Sequence, residues 1–178
     1  GASGFIGKYI VQFLDENGFN VVGLSRQKKP PDTIANAVGD WISIDLAKPD
    51  GIKEILRQSK GIKYLIHLAA LVRDNKNLFA AKNLYQQEII SPLQLVDALI
   101  TQLKHICLFS STSVYGNCEK VIDESYPIKP TGLYDTNKMV LEDSLSLLAR
   151  KRDVFLSIFR ISSVYGPGMP EKNAIPQF

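Results

Sequence analysis

This sequence has little histidine, little cysteine and little net charge. It carries two histidines, His67 and His105, and two cysteines, Cys107 and Cys118. The cysteines stand at neither metal-ligand nor disulfide-framework spacing, which predicts a protein without a metal in a reducing, cytoplasmic setting. Formal net charge is +3 over 178 residues, a balance that points to no nucleic acid and no anionic membrane surface. No apolar run reaches the roughly 18 to 20 residues needed to span a bilayer, and no signal-peptide pattern opens the chain. A last absence is local: nothing stands before the glycine turn that opens the sequence, where a buried central strand is expected. The chain therefore reads as one nucleotide-binding domain over residues 1–178, truncated at both ends, lacking its first strand and a region beyond Pro176-Gln177-Phe178.

What is present begins with that turn, Gly1-Ala2-Ser3-Gly4-Phe5-Ile6-Gly7. Glycine at the first position permits a tight turn, at the second it removes a Cβ from the path of a pyrophosphate, and at the third it lets a helix lie close to a sheet. The N–H groups at the start of the following helix lack internal partners, and the helix dipole adds positive charge there, so a diphosphate suits the place. Ile6, Ile10, Phe13 and Leu14 recur at helical spacing over 5–17, and Asn17-Gly18 ends the helix.

Strands and helices then alternate. Residues 19–24 read as a strand, followed by Ser25-Arg26 where an NAD-specific site usually carries Asp or Glu. With Arg26, Lys28 and Lys29 there instead, NADP suits the site as well as NAD. Residues 41–44 read as a strand ending at Asp45-Leu46, where a carboxylate beside an apolar side chain can hold an adenine amino group. Pro49 and Asp50 open a helix to about residue 59, and 64–68 reads as a strand buried on both faces, ending in His67-Leu68-Ala69-Ala70. His67 alone reads as structural. A long helix over 84–103 is expected to kink at Pro92. A strand at 106–109 delivers Ser110, Ser111, Thr112 and Ser113 to its carboxyl end, the edge where ligands bind in open parallel sheets. Thr131 caps a helix to about residue 149 that carries Tyr134 and Lys138, and 154–160 is the last strand. The pattern predicts an α/β fold, a doubly wound parallel sheet of Rossmann type.

Tyr134 and Lys138 stand four apart and share a helix face. An ammonium beside a phenol favours the phenolate; reaching neutrality from a pKa near 10 takes a shift of about 3 units, or roughly 4 kcal/mol. Such a phenolate removes a proton from an alcohol as hydride leaves, and returns one in the reverse direction. Ser111 is placed to hydrogen-bond the same oxygen.

The segments 1–7, Asp45-Leu46, 67–70, 110–116, Tyr134-Asp135-Thr136-Asn137-Lys138 and 160–168 occur in an order that resembles the NAD-dependent epimerase/dehydratase family of extended short-chain dehydrogenases/reductases. The resemblance implies catalytic Ser111, Tyr134 and Lys138, with Tyr134 and Lys138 also at the nicotinamide ribose. It implies pyrophosphate contacts from Gly1, Gly4, Phe5, Ile6 and Gly7, adenine contacts from Asp45 and Leu46, and ribose and phosphate contacts from Leu68, Ala69 and Ala70. Ser111, Thr112 and Ser163 fall at substrate positions, Ser163 standing where relatives often have asparagine. Glu88 likewise replaces an asparagine common in relatives. Thr112-Ser113 stands where sugar 4,6-dehydratases carry Asp-Glu, which argues against elimination of water. The resemblance thus implies a nucleotide-diphosphate-sugar epimerase or keto-sugar reductase using NADP or NAD. Alternatives are a dihydroflavonol-reductase-like enzyme acting on a non-sugar carbonyl and a non-catalytic NAD(P)-sensing scaffold. It also implies a homodimer formed through the two long helices, and a substrate-specific region beyond residue 178.

Overall fold

The computed structural model describes residues 1–48, 51–70 and 84–169. They group into two compact units, one of residues 1–45 with the segment from 163 onward, the other of residues 46–162. Pro49, Asp50 and Pro176 to Phe178, which figure in the sequence reading, lie outside the described residues.

In the first unit, helix α1 (Phe5–Glu16) is followed by strands β1 (Val22–Ser25) and β2 (Asp40–Ser43), paired in parallel with Val22 opposite Asp40. A short 3-10 turn, Asp32–Ile34, joins them and buries Ile34. Helix α1 stops where the sequence predicts. Gly18 takes φ +77°, and the Asn17 amide donates to the Phe13 carbonyl at 2.7 Å. Strand β1 starts later than expected because Phe19 belongs to that stop: its N–H returns to the Leu14 carbonyl at 3.0 Å, and its ring is about half exposed. Beyond the strands, Pro167 accepts a 2.6 Å hydrogen bond from the Tyr9 hydroxyl.

The second unit holds α2 (Gly51–Gln58), β3 (Tyr64–His67), a π-helical turn (Gln86–Ile90) running into α3 (Ser91–Leu99), β4 (His105–Ser111), α4 (Leu133–Arg152) and β5 (Phe155–Ile161). Its sheet has the order β3-β4-β5, all parallel, with Tyr64 opposite His105 and His105 opposite Phe155. Ile106 and Leu108 alternate with less buried neighbours along β4 and, with Leu95, Leu99, Leu141 and Leu145, form the core of this unit. Burying each such side chain stabilises the fold by about 1.5–3 kcal/mol. Every pairing is parallel, as the alternating pattern predicts, and the pairings fall into two sheets.

Four local expectations are corrected. Strand β3 is not buried on both faces, since Tyr64 is 55% exposed. Strand β4 extends to Ser111, so Ser110 and Ser111 are strand residues. The long helix over 84–103 ends at Leu99, and the distortion at Pro92 is a π turn just ahead of it rather than a break in place. Proline cannot donate a backbone hydrogen bond, and the widened turn is closed by the Ser91 N–H, which donates to the Gln86 carbonyl, with the Ser91 hydroxyl donating to the same oxygen at 2.7 Å. Finally, Thr131 is not the cap of α4. Gly132 holds that position, and the Asp135 carboxylate folds back to accept from the Gly132 N–H at 3.0 Å.

Candidate active site

Strand β4 and helix α4 present Ser111, Tyr134 and Lys138 within the second unit. Ser111 ends its strand and caps a 3-10 turn, Thr112–Tyr115. Its Oγ accepts from the Ser113 N–H at 3.2 Å and from the Ser113 hydroxyl at 2.8 Å. With both lone pairs engaged, the Ser111 hydroxyl is left with one hydrogen to donate. The Ser111 side chain favours the phenolate form of Tyr134. Gly116 closes the turn at φ +71°, where a Cβ would also strike the Lys129 carbonyl. Thr112 sits exposed beside the site, its hydroxyl directed to the Ile161 carbonyl at 3.5 Å.

Lys138 is buried, 3% exposed, with Nζ donating to the Phe109 carbonyl at 3.3 Å and lying 5.7 Å from the centre of the Tyr134 ring. Burial pulls its pKa below the usual lysine range, against the opposing fields of Glu88 and Glu142. The sequence reading has Lys138 acidify Tyr134. In the structure, the Tyr134 pKa is instead raised: burial disfavours the phenolate most, Glu88 adds to that, and the Ser111 hydrogen bond opposes it. Burial and the Glu88 carboxylate, which set this direction, are not visible in the Tyr134–Lys138 spacing.

Glu142, whose charge acts on Lys138, went unmarked in the sequence although it stands one helical turn beyond Lys138 on the same face; the 134-138-142 spacing was the available signal. It is 2% exposed and accepts from the Ser110 hydroxyl, from Arg160 Nε at 3.1 Å and from Arg160 Nη2 at 2.8 Å. Arg160 in turn donates to the Tyr115 hydroxyl at 2.6 Å and stacks over that ring at 5.0 Å. The network ties β4, α4, β5 and the 3-10 turn together behind Ser111. His67, at the end of β3, is buried, and desolvation, with the Lys138 charge adding to it, pushes its pKa down to about 3. Its Nε2 and Asn137 Oδ1 are buried without a hydrogen-bond partner among the described residues. Leu68 and Ala69 follow half-buried, and Ala70 exposed.

The glycine turn lies in the first unit. Gly4 caps α1 with no side-chain partner, and the first turn carries no acidic residue, so its N–H groups suit an anion. A Cβ at Gly7 would collide with the Gly1 and Ala2 carbonyls of the turn itself, so the turn alone already requires glycine there. Phe5 and Ile6 form the first turn of α1. Ser25 ends β1, its hydroxyl 2.8 Å from that of Ser3, and Arg26 is exposed. Asp45 and Leu46 are half-buried after β2, and Ser163 is exposed after β5; Asp45 and Ser163 belong to the first unit and Leu46 to the second. Among the described residues no group of three or more His, Cys, Asp or Glu is placed to hold a metal, and no helix is long and apolar enough to cross a membrane.

The described residues thus hold parallel α/β sheets, a glycine turn opening a helix, and Ser111 at a strand end with Tyr134 and Lys138 on the helix that packs on that strand. The chain belongs to the NAD dependent epimerase/dehydratase family, which it matches over residues 1–178. It is similar to CDP-abequose synthase of Salmonella typhimurium, at 27% identity over 99% of this chain and 55% of that protein. It is also similar to sterol-4-alpha-carboxylate 3-dehydrogenase (decarboxylating) of Dictyostelium discoideum, at 27% identity over 93% of this chain and 52% of that protein. Among solved structures, MoeE5 in complex with UDP-glucose and NAD superposes with a TM-score of 0.81 at 27% identity, over 99% of this chain and 57% of that one. The chain spans about half the length of the curated relatives it matches.

Proposed function

We propose that the protein of which this chain forms part interconverts an alcohol and a ketone on a nucleotide-diphosphate sugar, as an epimerase or a keto-sugar reductase. The observation that carries this reading is the Lys138 ammonium, buried one helical turn beyond Tyr134 and 5.7 Å from the centre of its ring. Family membership and the UDP-glucose in MoeE5 support the substrate class. Gly1, Gly4, Phe5, Ile6 and Gly7 would hold the cofactor diphosphate, Ser25 and Arg26 the adenosine ribose, and Asp45 and Leu46 the adenine. Leu68, Ala69 and Ala70 would line the ribose side, and Tyr134 and Lys138 the nicotinamide ribose. The N-terminus of α1, where no side chain accepts from the free N–H groups, fits a diphosphate group. NADP or NAD, when bound, supplies the hydride acceptor or donor.

Tyr134 takes the hydroxyl proton of the sugar in the oxidising direction and gives one to the carbonyl oxygen in the reducing direction. Ser111 donates to that same oxygen and steadies its developing charge. Thr112 and Ser113 offer no carboxyl group for the acid-base work of dehydration. Ser163 and Thr112 would meet the substrate. A non-sugar alcohol is the second reading, favoured by the likeness to the Dictyostelium sterol dehydrogenase. Homodimerisation through the long helices belongs to the proposal as well. In full-length protein incubated with UDP- and dTDP-sugars, with and without NADPH, Tyr134→Phe is expected to lower turnover by about 10²–10⁴-fold. Undiminished turnover in that variant would exclude the reading.

A further inference from the structure

The residues named for the reaction sit on separate pieces of the second unit: Ser111 at the junction of β4 and the 3-10 turn, Tyr134 and Lys138 on α4. Bonds from the turn to β5 and to the loop that follows do not reach that helix. The Thr112 hydroxyl is directed to the Ile161 carbonyl at 3.5 Å, and the Val114 carbonyl accepts from the Lys129 N–H at 2.9 Å. Arg160 does reach it. Its Nε and Nη2 donate to the Glu142 carboxylate of α4 at 3.1 and 2.8 Å, and its remaining Nη1 donates to the Tyr115 hydroxyl at 2.6 Å. The Tyr115 ring, 5% exposed, lies under the guanidinium at 5.0 Å and meets the Tyr126 ring edge-on at 6.3 Å. A planar guanidinium fork can serve both partners at once, whereas a lysine ammonium is a single point charge. Ser110, the neighbour of Ser111, also donates to Glu142.

We propose that Arg160 is a positioning residue of this site: clamped between Tyr115 on the 3-10 turn and Glu142 on α4, it fixes the Ser111 hydroxyl relative to the helix that carries Tyr134 and Lys138. The inference rests on the reading of Ser111 and Tyr134 as partners at one substrate oxygen. The clamp acts through the turn. Ser111 Oγ accepts from the Ser113 N–H at 3.2 Å and from the Ser113 hydroxyl at 2.8 Å, so where the turn lies decides where its remaining hydrogen points. A turn released at Tyr115 would carry those two donors with it, and small displacements of reacting groups cost rate steeply. The Arg160 side chain is 19% exposed and its Nη1 also reaches the Glu124 carbonyl at 3.5 Å, so loss of the Tyr115 hydroxyl strands no buried charge.

The test uses full-length protein and Tyr115→Phe, which keeps the ring and the Arg160–Glu142 pair and removes only the hydroxyl. Arg160→Lys, which keeps a cation beside Glu142, decides in its place should the first variant not fold. In cofactor-free protein, amide hydrogen exchange over residues 112–116 is expected to rise by about tenfold in either variant, with exchange in α4 unchanged. With the UDP- and dTDP-sugars named above, kcat should fall by about tenfold in Tyr115→Phe and by about 10²-fold in Arg160→Lys, with KM little changed. In a Ser111→Ala background the same substitutions should lower kcat no further, because the group they misplace is already gone. Unmoved exchange or unmoved kcat in a folded variant would overturn the proposal. So would a fall in kcat that persists in full without the Ser111 hydroxyl, which is what a general loss of structure gives. Failure of the reaction reading would show separately, as activity surviving in Tyr134→Phe.

Discussion

His67 shows how much a single residue's surroundings decide. Sequence placed it at a strand end as a structural histidine. The structure buries it and depresses its pKa from the ordinary 6.5 to about 3. The unfolded chain therefore binds a proton that the folded chain refuses, so stability falls as pH drops from about 6.5 toward 3. Between pH 7 and pH 5 the loss from this group should be about 2 kcal/mol. Urea unfolding of full-length protein at the two pH values should show it, and His67→Asn should flatten that dependence. The identities of Ser111, Tyr134 and Lys138 were legible because a strand end and an i,i+4 pair are properties of local sequence. The protonation state of Tyr134 was not, because it depends on burial and on Glu88, which stands 46 positions upstream on another element.

At the scale of elements, α4 organises the site. One face carries Tyr134, Lys138 and Glu142, and the last of these holds Arg160 of β5 and Ser110 of β4. Removing one partner of a buried pair leaves the other charge uncompensated. Arg160 keeps 19% of its side chain exposed, which softens the penalty, so Glu142→Ala is expected to destabilise the protein by about 2–3 kcal/mol. Denaturant unfolding would measure it, and Glu142→Gln, which still accepts from Ser110, should lose less. Existence and type of the helices were readable from apolar periodicity. Their interruptions were less so: the π turn depends on Pro92 together with a hydroxyl from Ser91, and no repeat in the sequence encodes it.

For the whole molecule, the alternation of strands and helices was enough to predict parallel α/β architecture, and the family relationship agrees with it. The division of the strands into a pair and a triplet was not legible, since periodicity says nothing about which strands become neighbours. Cofactor binding is a property of this scale, because a ligand that binds only the folded protein stabilises all of it. At a hundredfold excess over its Kd, NAD(H) or NADP(H) should add about 2.7 kcal/mol, measured as a rise in melting temperature of full-length protein. Gly7→Ala should abolish that rise, since the added methyl meets the Gly1 and Ala2 carbonyls.

The parallel pairing carries a kinetic consequence. Val22 meets Asp40, Tyr64 meets His105 and His105 meets Phe155, separations of 18, 41 and 50 positions along the chain. Among the described residues no hairpin joins these strands, so long loops must close before any of these strand contacts forms. Helices such as α4, whose contacts are local, can gain structure first and give the strands a surface on which to assemble.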